Sequence, residues 1–392
     1  MASDDNTGPV VIVGAGQGGL QVAASLRQAG FAGPVVLIGD EPWLPYQRPP
    51  LSKTYVTEGR DEALWLRPES FFDAQQIDYR RGTRVLAIDR AARRVDTTAG
   101  PVAYGQLVLA TGARNARPPI PGLDRAHDLR TLADAQHLRD IVLGPQRRFG
   151  VIGGGFIGLE FAAVARKYGH HVVVAEAAPR LMSRSVSPQM SEAFAQLHQN
   201  LGNDIRLGQA VTAVTPDGMI LDNGERIDAD HVLLAAGVRP NVELAEAAGL
   251  DVDNGIVVDG QLLTTDPAIS AMGDCASFPD PRSGRRVRLE SVQAAIDHAR
   301  HIVARLTGAA PGPYAALPWF WSDQADWKLQ IAGLAMPEDR AEQVADHVVF
   351  RFDALDLLTA VETVNGPRVH MKARKLLGTG MLDPAQARAL LT

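Results

Sequence analysis

Two groups of glycines carry the first chemical signal. Gly14, Gly16 and Gly19 share their spacing with Gly153, Gly155 and Gly158. Such a turn between a strand and a helix opens backbone N–H groups to phosphate oxygens, and the positive end of the helix dipole adds to the attraction. Each group also has an acid further on: Asp40, with Glu41 beside it, after the first, and Glu176 after the second. A carboxylate there accepts hydrogen bonds from ribose hydroxyls. Read singly, such an acid serves equally well as the surface cap of a strand end. Two complete copies point instead to two bound dinucleotides. Glu176 also repels a 2′-phosphate, which favours NADH over NADPH, although Arg180 and Arg184 lie just downstream.

These turns act only if strands and helices flank them. The β-branched run Val10–Val13 predicts a strand, residues 20–29 a helix closed by Gly30, and Val35–Ile38 a second strand. The pattern returns with a strand over 149–152, a helix over 159–168 closed by Gly169, and a strand over 172–175. Two further apolar strands are expected, at 107–110 running into Thr111 and Gly112, and at 232–236 followed by Gly237. The prolines of 117–121 read as a linker. Trp319, Trp321 and Trp327 mark a change of composition and the start of a smaller third domain.

The chain has 392 residues, 46% of them apolar and 21% charged, which suits two or three globular domains. Its net charge of -6 argues against nucleic acid as a partner. Arg282, Arg285, Arg286 and Arg288 are expected in a solvated loop. Cys275 is the only cysteine, so an intramolecular disulfide, a CxxC redox pair and a four-cysteine metal site are excluded. It is expected to be a small buried residue. His170 and His171 are adjacent and do not make a metal site, and no spacing suggests zinc or an iron–sulfur cluster. No apolar run reaches the roughly 18 residues of a spanning helix, so no membrane partner is expected. Residues 1–7 carry Asp4 and Asp5 and lack the apolar segment of a secretory signal. A cytoplasmic protein is expected.

Six segments follow one another in a recognisable order. They are Gly14-Ala-Gly-Gln-Gly-Gly19, Arg48-Pro-Pro-Leu-Ser-Lys53, Ala110-Thr-Gly112, Gly153-Gly-Gly-Phe-Ile-Gly-Leu-Glu160, Gly273-Asp-Cys275 and Trp319-Phe-Trp-Ser-Asp-Gln324. In this the chain resembles the NADH-dependent ferredoxin reductases of oxygenase systems, over residues 10 to 365. The resemblance implies an α/β fold of glutathione-reductase type, with two Rossmann-like dinucleotide-binding domains and a C-terminal α+β domain. It places a discontinuous FAD-binding domain at 1–113 and 238–317, an NAD(H)-binding domain at 114–237 and the C-terminal domain at 318–392.

Roles carried over by the resemblance follow the matching positions. Gly14, Gly16, Gly18 and Gly19 face the FAD pyrophosphate, Asp40 faces the FAD ribose, and Glu41, Ala110, Thr111 and Gly112 belong to the same site. Arg48 and Lys53 match basic residues near the flavin, and Val85 and Arg130 match further FAD contacts. Gly273 and Asp274 hold the ribityl–phosphate side, and Val292, in the run Glu290-Ser291-Val292, matches a backbone contact to the ring. Trp319 matches an aromatic residue packed by the ring. Gly153, Gly155, Phe156, Ile157, Gly158, Glu176 and Gly237 belong to NAD(H), and Glu160 matches an acid near the nicotinamide.

Charge explains Lys53, because hydride transfer leaves the reduced flavin anionic until a proton follows, and a nearby ammonium stabilises it. Glu160 stands at the start of a helix, where the dipole favours its charge. By residue type alone Lys53 reads as a surface lysine and Glu160 as a first-turn helix acid; with the resemblance, an ion pair between Lys53 and Glu160 beside the flavin is expected. Trp321 and Trp327 are expected to serve packing. With no cysteine pair to receive them, the electrons must leave to an outside acceptor, by resemblance a 2Fe–2S ferredoxin. A basic docking patch is then expected, with 282–288 and 372–375 as candidates. Rubredoxin, a quinone or another small acceptor would use the same cofactors, and apoptosis-inducing-factor-like redox-sensitive binding proteins share the scaffold. The expected assembly is a monomer or a homodimer.

Overall fold

The computed structural model describes residues 8–380 and 382–391; the stretch 1–7 read above for a secretory signal lies outside the described residues. The chain folds into two compact units. The first takes the residues up to Gln47, then Glu62–Arg114 and Arg239–Ala316; the second takes Arg48–Asp61, Asn115–Val238 and the residues from Leu317 on.

The first unit is built on a five-stranded parallel sheet. Its order is Ile269–Ala271, Gln106–Leu109, Val10–Val13, Val35–Ile38 and Ile77–Arg80. Val10–Val13 is buried along its whole length, as a central strand covered on both faces must be, which is why it reads as an unbroken apolar run. Val10 stands in register with Val35 on one side and Gln106 on the other. Helix Gln17–Gln28 follows the first strand and packs against helix Val292–Leu306.

The second unit repeats the theme with four parallel strands in the order Asp204–Leu207, His171–Glu176, Arg148–Ile152 and His231–Leu234. Helix Phe156–Lys167 follows Arg148–Ile152. The same unit holds a five-stranded antiparallel sheet, ordered Trp319–Gln324, Trp327–Gly333, Leu358–Val364, Val348–Phe352 and Arg340–Ala345. Phe350, Phe352, Leu358 and Val361 form its core with Ala373 and Leu377 of helix Pro367–Thr379.

The strands lie within a residue or two of the sequence expectation; the two helices after the glycine turns do not. They begin at Gln17 and Phe156, three residues earlier than expected in each case. The last glycines of each group belong to the first helical turn, because the helix must pass close to the strand it follows. A Cβ on Gly19 would stand 1.9 Å from the carbonyl oxygen of Gly14, and one on Gly158 2.3 Å from that of Gly153.

Candidate functional site

The two glycine turns divide their glycines in the same way. Gly14 and Gly153 adopt positive φ angles of 109° and 108°, and a Cβ on either would collide with the next strand's chain, at Ala110 and Ala235. Gly19 and Gly158 permit the close helix–strand approach. Gly16 and Gly155 are different. Their φ angles, -79° and -84°, suit any residue, and no atom of the described residues lies within 4 Å of where a Cβ would stand. The fold therefore has no need of glycine there. A ligand that approaches the backbone does need it. Both residues sit at the N-cap of a helix whose first turn receives no side-chain cap, which leaves its N–H groups open to an anion. By contrast, Thr131, Ser187 and Ser291 cap the helices they precede. The turns fit a pyrophosphate in each unit. Gly18 has a packing reason of its own, since a Cβ would meet the Met272 side chain at 2.6 Å.

The acids differ. Asp40 is exposed, with Arg84 as an ion-pair neighbour at 3.7 Å. Glu41 accepts from Tyr46 Oη at 2.6 Å. Glu176 is already engaged with its own turn: Oε2 accepts from the Gly154 N–H and Oε1 from that of Ala178, both at 2.7 Å. Each carboxylate oxygen keeps a second lone pair for a hydroxyl. Arg180 spends its guanidinium on the carbonyls of Val186 and Ser183, while Arg184 approaches Gly237, which has a φ of 92°.

In the first unit, Ala110 donates to Val13 and ends the sheet, and Thr111 and Asn241 exchange side-chain-to-carbonyl bonds of 2.7 and 2.8 Å. This pair holds the bend at Gly112, whose φ is 66°. Val85 is buried in strand Val85–Asp89. Gly273 donates its N–H to Nδ1 of the buried His298, and the carbonyl of Asp274 accepts from Arg288. Glu290 pairs with Arg288 at 2.7 Å, Ser291 caps helix Val292–Leu306, and Val292 is that helix's first residue. Cys275 is buried and donates to Met272 O at 3.1 Å; burial pushes its thiol up, away from the reactive thiolate.

In the second unit the two most distinctive sequence segments converge on one carboxylate. Glu160 is buried, on the first turns of helix Phe156–Lys167. Lys53 Nζ lies 3.1 Å from its Oε1. Ser52 donates to Oε2 at 2.5 Å, and Ser322 donates to Oε1 at 2.6 Å. Lys53 also reaches Asp323 at 3.2 Å. Burial pushes the Glu160 carboxyl above the usual carboxylate range, against the opposing pull of Lys53 and the two hydroxyls. Ser52, Ser322 and Asp323 were missed as site residues, though each stands inside a quoted segment. Arg48 donates to the carbonyl of Arg130 at 2.6 Å, and the Arg130 N–H donates to Asp134. Phe156 packs on Phe320 with ring centroids 4.6 Å apart, and Ile157 is exposed.

Trp319 stacks on Trp321 at 5.6 Å, and the guanidinium of Arg374 lies 4.1 Å over its ring. Trp327 packs edge-on against Phe194. In the basic stretch at 282–288, Arg285 and Arg286 are exposed, as a solvated loop implies, and Arg288 is largely covered. Arg286 donates to the carbonyls of Val258 and Ser277, and Arg288 is turned inward, whereas Lys372 and Lys375 are exposed on helix Pro367–Thr379. Among the described residues no helix is long and apolar enough to cross a membrane.

Residues 8–299 match the pyridine nucleotide-disulphide oxidoreductase family, and residues 319–390 the reductase C-terminal family. The chain is 47% identical to rhodocoxin reductase of Rhodococcus erythropolis, over 96% of this chain and 91% of that one. It is 42% identical to the ferredoxin–NAD(+) reductase component of an anthranilate dioxygenase system of Burkholderia cepacia, over 96% of both chains. Among solved structures it is similar to the covalent putidaredoxin reductase–putidaredoxin complex, with a TM-score of 0.90 and 39% identity over 95% of this chain and 93% of that one.

Proposed function

This chain belongs to the pyridine nucleotide-disulphide oxidoreductase family, and from that premise we propose that it is an NADH-dependent ferredoxin reductase of an oxygenase system. It binds FAD and NAD(H). Held at the turn Gly14–Gly19, FAD would supply acceptance of a hydride from NADH and release of the electrons one at a time, which a nicotinamide does not readily do. The observation that carries the reading is the pair Gly16 and Gly155, two glycines without a structural reason, each at an uncapped helix start. The turn at Gly14–Gly19 is assigned to FAD and the turn at Gly153–Gly158 to NAD(H). Glu176 keeps that turn closed and rejects a 2′-phosphate.

The chain's own residues then do three things. The open N–H groups hold the pyrophosphates. Glu160, fixed by Ser52 and Ser322, holds Lys53 in place for the hydride-transfer step, where the ammonium balances negative charge on the reduced flavin. The remaining roles carried over by resemblance, from Arg48, Val85, Arg130, Asp274, Val292 and Trp319, stand as part of this proposal, as do the domain limits. The lone buried Cys275 leaves no disulfide to receive electrons, so they pass to an outside acceptor; the resemblance makes that acceptor a ferredoxin of the 2Fe–2S type and the protein a cytoplasmic one. The names of the relatives support this outlet. The test is NADH-driven turnover with a panel of 2Fe–2S ferredoxins, a rubredoxin and a soluble quinone. At least one ferredoxin is expected to be reduced fastest; turnover confined to rubredoxin or quinone would overturn the assignment.

A further inference from the structure

Glu160 is the end of a longer buried chain. His198, on helix Pro188–Asn200, is fully buried. Its Nδ1 lies 2.9 Å from Asn203 Nδ2, and its Nε2 lies 2.9 Å from Gln324 Oε1. Gln324 Nε2 lies 3.2 Å from Ser322 Oγ, which lies 2.6 Å from Glu160 Oε1. Every one of these side chains is buried.

Such a chain has two self-consistent directions, because an amide or a neutral imidazole that donates at one end accepts at the other. In one direction each donor points toward Glu160. In the other, the oxygen of Gln324 captures the Ser322 proton and Glu160 loses that hydrogen bond. Met182 decides between them. Its Sδ lies 3.6 Å from the same Gln324 nitrogen, and a thioether sulfur can only accept. With the nitrogen on that side, Oε1 faces His198, so His198 carries its proton on Nε2 and its Nδ1 accepts from Asn203. The Ser322 hydroxyl is left to donate to Glu160. Burial holds His198 below the ordinary histidine value, so the imidazole is neutral, as the chain requires.

We infer that His198 is a positioning residue for the Lys53–Glu160 pair: through Gln324 it sets the direction of the Ser322 hydroxyl and so keeps Glu160 a fixed, charged partner of Lys53. The inference rests on the reading of that pair given above. The charged group that faces Glu160 is Lys53, itself in contact with Asp323; Ser52 and Ser322 are the neutral ones.

Two measurements test it. Nitrogen NMR of histidine-labelled holoenzyme, with His198 assigned by the resonance lost in a variant, is expected to place its proton on Nε2. A proton on Nδ1 overturns the inference without any functional assay. Rapid-mixing flavin reduction by NADH across pH is the second. His198→Leu is expected to slow the limiting rate about tenfold and to move the acid limb roughly one unit upward, since a carboxylate that loses a donor binds its proton more readily. His198→Gln, whose amide nitrogen stands in for Nε2, is expected to restore most of both. An unchanged profile in His198→Leu, or a loss that His198→Gln does not restore, overturns it. Glu160→Gln separates the two levels. If that change leaves flavin reduction untouched, the reading of the pair fails; if it slows the step while His198→Leu does not, only the His198 role fails.

Discussion

Glu160 shows how one buried acid can be both a liability and a device. Its charge sits out of water, so burial raises its affinity for a proton, and Lys53, Ser52 and Ser322 work against that. Removing the cation leaves the acid buried without its partner, a change that costs about 3 kcal/mol or more at neutral pH. Lys53→Met is therefore expected to lower the urea midpoint most at neutral and alkaline pH. The sign follows from linkage: the folded state keeps a proton that the unfolded state has already released, so stability falls as pH rises from the ordinary carboxylate value through the raised one. The same variant is expected to slow flavin reduction by NADH by about a hundredfold, the order seen when a charge-stabilising group is removed. Flavin reduction at an unchanged rate would remove Lys53 from the step. Lys53 and Glu160 were legible in the sequence through the company they keep, a Pro-Pro-Leu-Ser-Lys run and a glycine turn. Ser52, Ser322 and Asp323 were not, although they stood in plain view. Nothing in a linear sequence says that residues so far apart meet at one carboxylate.

At the scale of elements, the strands were legible because parallel strands buried on both faces read as continuous apolar runs, as in Val10–Val13 and Val35–Ile38. The helix starts were not legible, because glycine marks a turn and a close-packed helix start alike. Gly18, Gly19 and Gly158 are instead helical residues selected for close packing, and the true starts are Gln17 and Phe156. This separates structural glycines from ligand glycines, and the separation can be tested. Gly16→Val and Gly155→Val enter open space at ordinary backbone angles, so both are expected to fold, Gly155→Val with the thermal midpoint of the parent holoprotein and Gly16→Val with that of the flavin-free parent, each within a few degrees. Gly16→Val is expected to purify without flavin. Gly155→Val is expected to stay yellow and to bind NADH at least about tenfold more weakly, a loss of roughly 1.4 kcal/mol. Equal effects of both changes on both ligands would contradict the assignment of one turn to each.

At the scale of the whole molecule, the lone cysteine limits the chemistry most. A pair of cysteines would have made the chain its own electron acceptor; without one, reduction of the flavin is only half a reaction. That exclusion follows from counting a single residue type; the structure adds that Cys275 is buried. The repeated order of strand, glycine turn, helix and second strand was likewise legible, and the structure holds it twice, from Val10 to Ile38 and from Arg148 to Glu176. The grouping of residues 48–61 with the second unit was not, since no local pattern marks a crossing of this kind. Where a ferredoxin docks was also poorly marked, because a run of arginines on paper does not show that Arg288 is turned inward to Glu290 while Arg286 spends donors on the carbonyls of Val258 and Ser277. The most direct test of the account is an anaerobic titration of the purified holoenzyme with NADH, followed by oxidised 2Fe–2S ferredoxin. The yellow colour is expected to bleach as NADH is added and to return as the ferredoxin is reduced. A colourless protein that FAD does not reconstitute, or a bound flavin that stays yellow in excess NADH, would contradict it.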